Sequence, residues 1–258
     1  MTPAPDAPLL PASGEIHLWS LPADPAWRDE FRAAGRRLLS LAETDRLAGM
    51  KRPGPAARFL TGRILLRTVL ARYLSQDPAA IGVALNAAGK PTLGAGAGHR
   101  PAFSLSHAGE ETVLAVARDG DIGVDIESTD RAAAVDRISR RFFPEAECRY
   151  LDRCGSDRPE KALTLWTLKE AIIKARGDTV WEGLAGVSLT IDGPRLAWNN
   201  PPPGGDGWKL AAGPLGIRHI LAVAHRRPAG RGHPPVFRHY DAAGTPRAES
   251  CFMPVYST

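Results

Sequence analysis

The chain has 258 residues, of which 43% are hydrophobic and 24% charged, as in an ordinary globular protein with one large domain or two modest ones. We expect neither a membrane span nor a signal peptide, and the three cysteines lack metal-ligand or disulfide-framework spacing, which indicates the cytoplasm. The net charge of +5 favours acidic partners, but the arginines are scattered without interleaved aromatic residues, so nucleic acid is not expected.

The predicted elements repeat once along the chain. The first series is a strand, a helix, a second helix, a strand–turn–strand and a final strand, at 16–22, 42–47, 59–67, 81–93 and 114–118. Similar segments follow in the same order at 122–128, 144–150, 165–174, 184–196 and 221–226, displaced by 102 to 107 residues. An ordered repeat of this kind predicts two similar units.

We therefore predict an α+β fold of two αβ subdomains related by pseudo-twofold symmetry, each with a small, mainly antiparallel sheet packed on helices. The N-terminal half spans residues 1–119 and the C-terminal half spans residues 120–258, including a Pro- and Arg-rich tail from about residue 226. A cleft between two such halves is a common place for a ligand. Because both halves lie in one chain, we expect a monomer.

Three basic residues, Lys51, Arg52 and Arg58, precede or begin the long helix of the N-terminal half. A solvated basic face is the ordinary interpretation of such a group, and contact with phosphate is the alternative. Their spacing does not decide between the two.

Two turns in the N-terminal half carry further polar groups. Gly89, Lys90 and Pro91 form a glycine turn in AGKPTL that matches neither a Walker loop nor a dinucleotide fingerprint. Ser106 and His107 follow in FSLSHAGE, where no acid partner or G-x-S-x-G setting supports a hydrolase couple. A hydrogen bond to phosphate is the functional alternative to a structural histidine here.

The strand IGVDIES places two carboxylates on one face. Side chains alternate along a strand, so Asp125 and Glu127 lie together and Val124 and Ile126 lie opposite. Adjacent carboxylates repel unless a cation lies between them. Oxygen ligands without nearby His or Cys favour magnesium, with manganese possible, over zinc. The alternative is an edge strand whose charged face meets water.

The helix LWTLKEAIIKARG has an apolar stripe for the core and a neighbouring stripe that carries Glu170 and Lys174 one turn apart. A Glu–Lys pair of this spacing is also ordinary helix support. Together with Asp125 and Glu127, however, Glu170 completes a set of three carboxylates, and the lysine lies where it can reach a phosphate. This combination is typical of magnesium-dependent phosphoryl transfer. The matching positions of the N-terminal half hold no good metal ligand, so metal chemistry is assigned to the C-terminal half.

These segments, in this order, resemble the Sfp-type 4′-phosphopantetheinyl transferases, which are monomeric and internally duplicated. The resemblance rests on AARFLTGRILLR, GKP, FSLSHAG, IGVDIES, RFFPEAE and WTLKEAIIKARG. Its specific part is GVDIE followed, after about forty residues, by W-x-x-K-E-x-x-x-K. Two positions depart from the family pattern: Ser104 stands where Asn is usual, and Ala108 where Ser is usual.

The resemblance implies a magnesium site and a reacting centre in the C-terminal half. Asp125, Glu127 and Glu170 would bind magnesium, and Lys174 would hold the diphosphate of coenzyme A. Glu147, in RFFPEAE, matches a carboxylate near the reacting centre. Either Glu147 or Glu170 would act as the base, directly or through a metal-bound water, and the sequence leaves both open.

The resemblance also implies where coenzyme A lies in the N-terminal half. Ser106 and His107 would hold the 3′-phosphate, with Arg58 and either Lys51 or Arg52 nearby. The adenine pocket would be lined by Gly89, Lys90 and Pro91.

The implied reaction transfers 4′-phosphopantetheine from coenzyme A to a serine of an apo acyl or peptidyl carrier protein and releases adenosine 3′,5′-bisphosphate. Carrier proteins are expected to be acidic, which suits the positive charge of this chain. Two alternatives stay open at this point: a non-catalytic protein that binds coenzyme A or a carrier, and a magnesium-dependent phosphoesterase that uses water in place of serine.

Overall fold

The chain folds into two large sheets, each covered by helices, and one small two-stranded sheet. A computed structural model describes residues 10–21, 25–87, 89–94, 100–178, 184, 186–202, 207–227, 236–245 and 256–257. The N-terminal half consists of β1 (Glu15–Ser20), α1 (Pro25–Gly35), α2 (Leu41–Ala48), α3 (Pro53–Leu74), β2 (Val83–Leu85), β3 (Pro91–Leu93), β4 (Ala102–Ala108) and β5 (Glu111–Ala117). The C-terminal half consists of β6 (Asp121–Ser128), α4 (Ala132–Phe142), α5 (Glu145–Leu151), α6 (Arg158–Arg176), β7 (Ser188–Asp192), β8 (Arg195–Asn200), β9 (Trp208–Leu215) and β10 (His219–Arg226). The tail contributes β11 (Val236–Asp241) and β12 (Tyr256–Ser257).

Both halves use the same strand pairing. β5 lies between β1 and β4, and β10 lies between β6 and β9, with every one of these neighbours antiparallel. Along the described part of the chain, each half runs from one strand through α-helices to four further strands. The predicted α+β class is confirmed, and each half has one helix, α1 or α4, that the repeat did not predict. The twofold relation between the halves stays a prediction.

Apolar side chains form cores between the helices and the sheets and between the two sheets. One core joins α1 and α3 to β1, β4 and β5, and another joins α4, α5 and α6 to β7 through β10. A third draws on both sheets, with Ile16 and Leu18 from β1, Val124 and Ile126 from β6, and Leu221 from β10. Strand β6 therefore has one face in the core shared by the sheets, and its other face meets α6.

Local sequence signals fix the ends of two of the helices. α2 begins with a capping box in which Ser40 and Glu43 bond each other's backbone N–H groups. α6 begins with a proline in its first turn and ends at Gly177, whose φ of 72° is the left-handed conformation of a helix C-cap. No helix of the described residues is both long and apolar enough to cross a membrane.

The tail returns to the sheet of the N-terminal half. β11 pairs in parallel with β1, and the ring of Tyr240 stacks on Trp19 with 4.8 Å between the centroids. Strand β11 thus pairs with an edge of β1 that it would otherwise leave open, and the predicted boundary between the two halves stays a prediction. β12 joins the sheet of the C-terminal half between β8 and β9. Residues 228–235, 246–255 and 258 of the tail lie outside the described residues.

Candidate active site

Helix α6 and strand β6 approach each other closely at Gly123. A Cβ atom on Gly123 would lie 1.9 Å from the carbonyl oxygen of Ala171, so a side chain there would push the helix away from the strand. Asp125 and Glu127 lie on the same face as Gly123 because side chains alternate along a strand. Glu170 precedes Ala171 in the helix. This close contact therefore brings the three predicted carboxylates together, with Asp125 and Glu127 only 5% and 9% exposed.

Asp125 is held by a lysine from α6 and a serine from β4. Lys174 Nζ lies 2.7 Å from Asp125 Oδ1 and donates to Ser106 Oγ at 2.8 Å, and the Ser106 hydroxyl donates to Asp125 Oδ1 at 2.8 Å. The N–H of Val124 donates to Ser104 Oγ at 3.1 Å. These contacts join the two halves, since β4 and β6 belong to different sheets.

The surroundings of Glu127 and Glu170 disfavour the ionised form of both carboxyl groups. Burial and then the negative field of Asp125 raise the pKa of Glu127, although Arg131 forms an ion pair with its Oε1. Burial, followed by the field of Asp125, raises the pKa of Glu170 to about 7. No hydrogen bond or ion pair reaches the Glu170 carboxylate from the described residues. Three carboxylates thus share a site with two cations, Lys174 and Arg131.

A divalent cation fits this set of donors. The Oδ2 atom of Asp125 is buried and accepts no hydrogen bond from the described part of the chain. A buried carboxylate oxygen without a donor is unfavourable, and a hard cation such as Mg²⁺ or Mn²⁺ would satisfy it. Among the described residues, no group of three or more His, Cys, Asp or Glu side chains already has the geometry of a metal site.

Basic groups lie next to the carboxylates on the side of the N-terminal half. His107 is exposed at the end of β4, and partial loss of hydration, then the positive fields of Lys174 and Arg58, lower its pKa. Lys90 Nζ donates to the carbonyl oxygen of Ile122 at 2.9 Å, which joins the turn before β3 to β6, and burial lowers the pKa of Lys90 to about 8.

The remaining residues predicted for coenzyme A lie in the turn before β3 and just before α3. Gly89 has a φ of 81° in the turn before β3, and Pro91 is the first residue of that strand. Lys51 and Arg52 are exposed at the start of α3, and no hydrogen bond or ion pair of their side chains is found among the described residues. His107 thus lies within the fields of Asp125, Lys174 and Arg58, and Lys90 bonds β6, whereas Lys51 and Arg52 have no comparable contact among the described residues. The roles predicted for these basic residues toward coenzyme A stay predictions.

Glu147 lies apart from this group, inside the core of the C-terminal half. Its Oε2 is 2.7 Å from Lys169 Nζ, and its Oε1 accepts the N–H of Leu189 at 2.8 Å. Lys169 Nζ also donates to the carbonyl oxygen of Val187 at 2.7 Å and lies 5.1 Å from the centroid of the Phe143 ring. Glu147 and Lys169 are both 0% exposed, so this ion pair joins α5, α6 and the start of β7.

Sequence reasoning missed Lys169, Arg131 and Gly123. A signal existed for Lys169, because it follows Leu165 by four residues and Leu168 by one within the apolar stripe of α6, which requires a buried partner for its charge. For Arg131 the four-residue spacing from Glu127 was the available signal. For Gly123 the signal was its position two residues before Asp125, on the same face of the strand.

Comparison with known proteins assigns the family. The model of the 4′-phosphopantetheinyl transferase superfamily matches residues 121–206, from the start of β6 past β8. The 4′-phosphopantetheinyl transferase HetI of Nostoc sp. is 30% identical over 233 residues, which cover 88% of this chain and 93% of HetI. A Synechocystis sp. protein, slr0495, named as a candidate 4′-phosphopantetheinyl transferase, is 32% identical over 202 residues, which cover 77% of this chain and 79% of that protein. The 4′-phosphopantetheinyl transferase Sfp of Bacillus subtilis is 32% identical over 141 residues, covering 53% of this chain and 56% of Sfp. The chain therefore belongs to the 4′-phosphopantetheinyl transferase superfamily, and its enzyme class is that of the phosphopantetheinyl transferases.

Proposed function

We propose that this enzyme transfers the 4′-phosphopantetheine group of coenzyme A to a serine of an apo carrier protein and releases adenosine 3′,5′-bisphosphate. The observation that carries the proposal is the group formed by Asp125, Glu127, Glu170 and Lys174 where α6 meets β6, with an unpartnered carboxylate oxygen on Asp125. A pure binding protein has no need for three carboxylates crowded beside the place proposed for an anionic ligand.

The transfer forms one bond and breaks one bond at the phosphorus that bears pantetheine. The serine oxygen bonds to this phosphorus, the bond to the bridging diphosphate oxygen breaks, and adenosine 3′,5′-bisphosphate leaves. Asp125, Glu127 and Glu170 would hold Mg²⁺, which supplies positive charge to the diphosphate oxygens when bound. Lys174 stabilises the negative charge that develops on the diphosphate. Its ammonium group pairs with Asp125 and therefore lies beside the proposed metal site.

Of Glu147 and Glu170, we propose Glu170 as the base that accepts the proton of the carrier serine. A base must come within hydrogen-bond distance of the serine hydroxyl. Both oxygens of Glu147 are engaged by Lys169 and Leu189 in a side chain that is 0% exposed. Glu170 has no such partner in the described part of the chain and lies among the proposed metal ligands, so the proton of the serine is proposed to pass to Glu170.

Coenzyme A is proposed to lie across the two halves, with its phosphates beside Arg58 and His107 and its adenine near Lys90. The positive fields of Arg58 and Lys174 at His107 support an anion at this place. The net charge of +5 suits an acidic carrier protein, and one chain already supplies both halves, so we propose a monomeric enzyme acting on acidic acyl or peptidyl carriers.

The test follows release of adenosine 3′,5′-bisphosphate by chromatography, with coenzyme A, Mg²⁺ and an apo carrier protein. We expect release only with the carrier present, and a loss of at least about a hundredfold in Asp125→Asn and Glu170→Gln. Glu145→Gln is the matched control, since Glu145 is an exposed carboxylate on α5 that pairs with Arg149, and it should retain full activity. Release without any carrier would instead support a phosphoesterase.

A further inference from the structure

The acidic site contains a cation for which the proposed reaction has no use. Asp125 and Glu127 each face a different positive side chain: Lys174 lies on Asp125, and Arg131 lies on Glu127. Lys174 has a place in the reaction. Arg131 does not, although its charge acts on Glu170 as well as on Glu127.

Arg131 is placed so that it can leave Glu127. It is the last residue of the short 3₁₀ turn Thr129–Arg131 and the N-cap of α4, four residues after Glu127. Its side chain is 50% exposed, whereas that of Glu127 is 11% exposed. The carboxylate is therefore fixed in the site, and the guanidinium reaches in from the solvent side. A half-exposed ion pair of this kind contributes little free energy and is readily exchanged.

The ion pair and a metal ion would compete for the same carboxylate. Arg131 bonds Glu127 Oε1, and this carboxylate is one of the proposed metal ligands. Without a metal, the site holds three carboxylates and two cations, so Arg131 offsets part of the repulsion among Asp125, Glu127 and Glu170. With a divalent cation bound, the same guanidinium would be a like charge next to the metal.

We propose that Arg131 is an exchangeable counterion of the metal site. It occupies Glu127 in the metal-free protein, gives way to the divalent cation, and is then available to an anionic group of coenzyme A. The inference rests on the metal site of the proposed function. It makes Arg131 a positioning residue that sets metal affinity, and two consequences of opposite sign follow when it is removed.

The test measures Mn²⁺ binding by electron paramagnetic resonance without coenzyme A, and then coenzyme A binding by calorimetry in saturating Mn²⁺. In Arg131→Ala we expect Mn²⁺ to bind about two- to fivefold more tightly, the range of an exposed ion pair, and coenzyme A to bind more weakly by a similar factor. Arg137→Ala is the matched control, because Arg137 is an exposed arginine six residues further along the chain, in α4. It should change neither affinity, and circular dichroism should show all variants folded.

The outcomes separate this inference from the function on which it rests. Equal Mn²⁺ affinity in the wild type, Arg131→Ala and Arg137→Ala would overturn the role of Arg131 and leave the metal site standing. Equal tightening in both arginine variants would also overturn it, because only general charge would then matter. Absence of Mn²⁺ binding in the wild type would overturn both the metal site and the role of Arg131.

Discussion

Replacing Lys169 by methionine tests whether its buried pair with Glu147 is part of the fold. Lys169 Nζ makes two hydrogen bonds of 2.7 Å, to Glu147 Oε2 and to the carbonyl oxygen of Val187, and both side chains of the pair are 0% exposed. Methionine has a similar length, but it leaves the Glu147 carboxylate buried with the Leu189 N–H as its remaining donor. Removing one partner of a buried ion pair costs about 3–5 kcal/mol, so we expect the free energy of unfolding to fall by that amount.

The assay is urea unfolding at pH 8, followed by circular dichroism and compared with the wild type. Lys161→Met is the matched control, because Lys161 lies in the same helix eight residues earlier and is partly exposed. We expect it to lose less than about 1 kcal/mol. Glu147→Gln should lose stability on the same scale as Lys169→Met, since it leaves the ammonium group without its counterion.

The pH dependence of the Lys169→Met variant gives the sign of the effect. Burial raises the pKa of Glu147 above its ordinary value of 4.5 even with Lys169 in place, and without the lysine the folded-state pKa should rise further. A carboxyl group with a raised folded-state pKa contributes stability below its unfolded-state pKa and loses it as pH rises through the folded-state value. The defect of Lys169→Met should therefore shrink between pH 8 and pH 5. A loss below about 1 kcal/mol at pH 8, or a Glu147→Gln enzyme of full stability and no activity, would refute a structural role.

Three further predictions follow from other contacts. Gly123→Ala should lower the free energy of unfolding by more than about 2 kcal/mol and weaken Mn²⁺ binding, because its Cβ would lie 1.9 Å from the Ala171 oxygen; unchanged stability and metal affinity would show that α6 moves without cost. The NMR signals of the Lys90 side chain should titrate near pH 8, since burial lowers its pKa to about 8, and a midpoint near the ordinary 10.5 would contradict its placement against Ile122. The folded-state pKa of Lys90 is depressed, so its contribution to stability is full above about 10.5 and is lost as pH falls through about 8. Deletion of residues 228–258 removes both β11 and β12 and should cost more than about 2 kcal/mol in thermal or urea unfolding; a deletion variant as stable as the full chain would show that the two tail strands contribute nothing.

The local parts of the fold and site follow from short-range patterns. Alternation in IGVDIES predicts that Asp125 and Glu127 share a face, and the spacing of Glu170 and Lys174 predicts that they share a stripe. Once β6 and α6 are known to pack together, these two patterns place the four side chains at the same contact. The internal repeat predicts the α+β class because each repeated unit contains helices followed by antiparallel strands.

The parts that the sequence did not predict depend on contacts between distant segments. The sequence of β11 does not show that this strand pairs in parallel with β1. The pairing depends on the open edge of β1, which is distant in the chain. The partner of Lys169 is likewise a residue of another helix, Glu147. The contacts of the Ser106 hydroxyl with Asp125 and Lys174 were not predicted either, because they are set by the approach of β4 to β6. Its expected contact with a phosphate stays a prediction.

Transfer of phosphopantetheine to a carrier serine can be tested by the intact mass of a purified apo carrier protein after incubation with this enzyme, coenzyme A and Mg²⁺. We predict a gain of one phosphopantetheine group per carrier, abolished by EDTA, by Asp125→Ala and by replacement of the acceptor serine, and retained in Glu145→Gln. An unchanged carrier mass across acyl and peptidyl carriers, with coenzyme A bound by a folded enzyme, would contradict the claim.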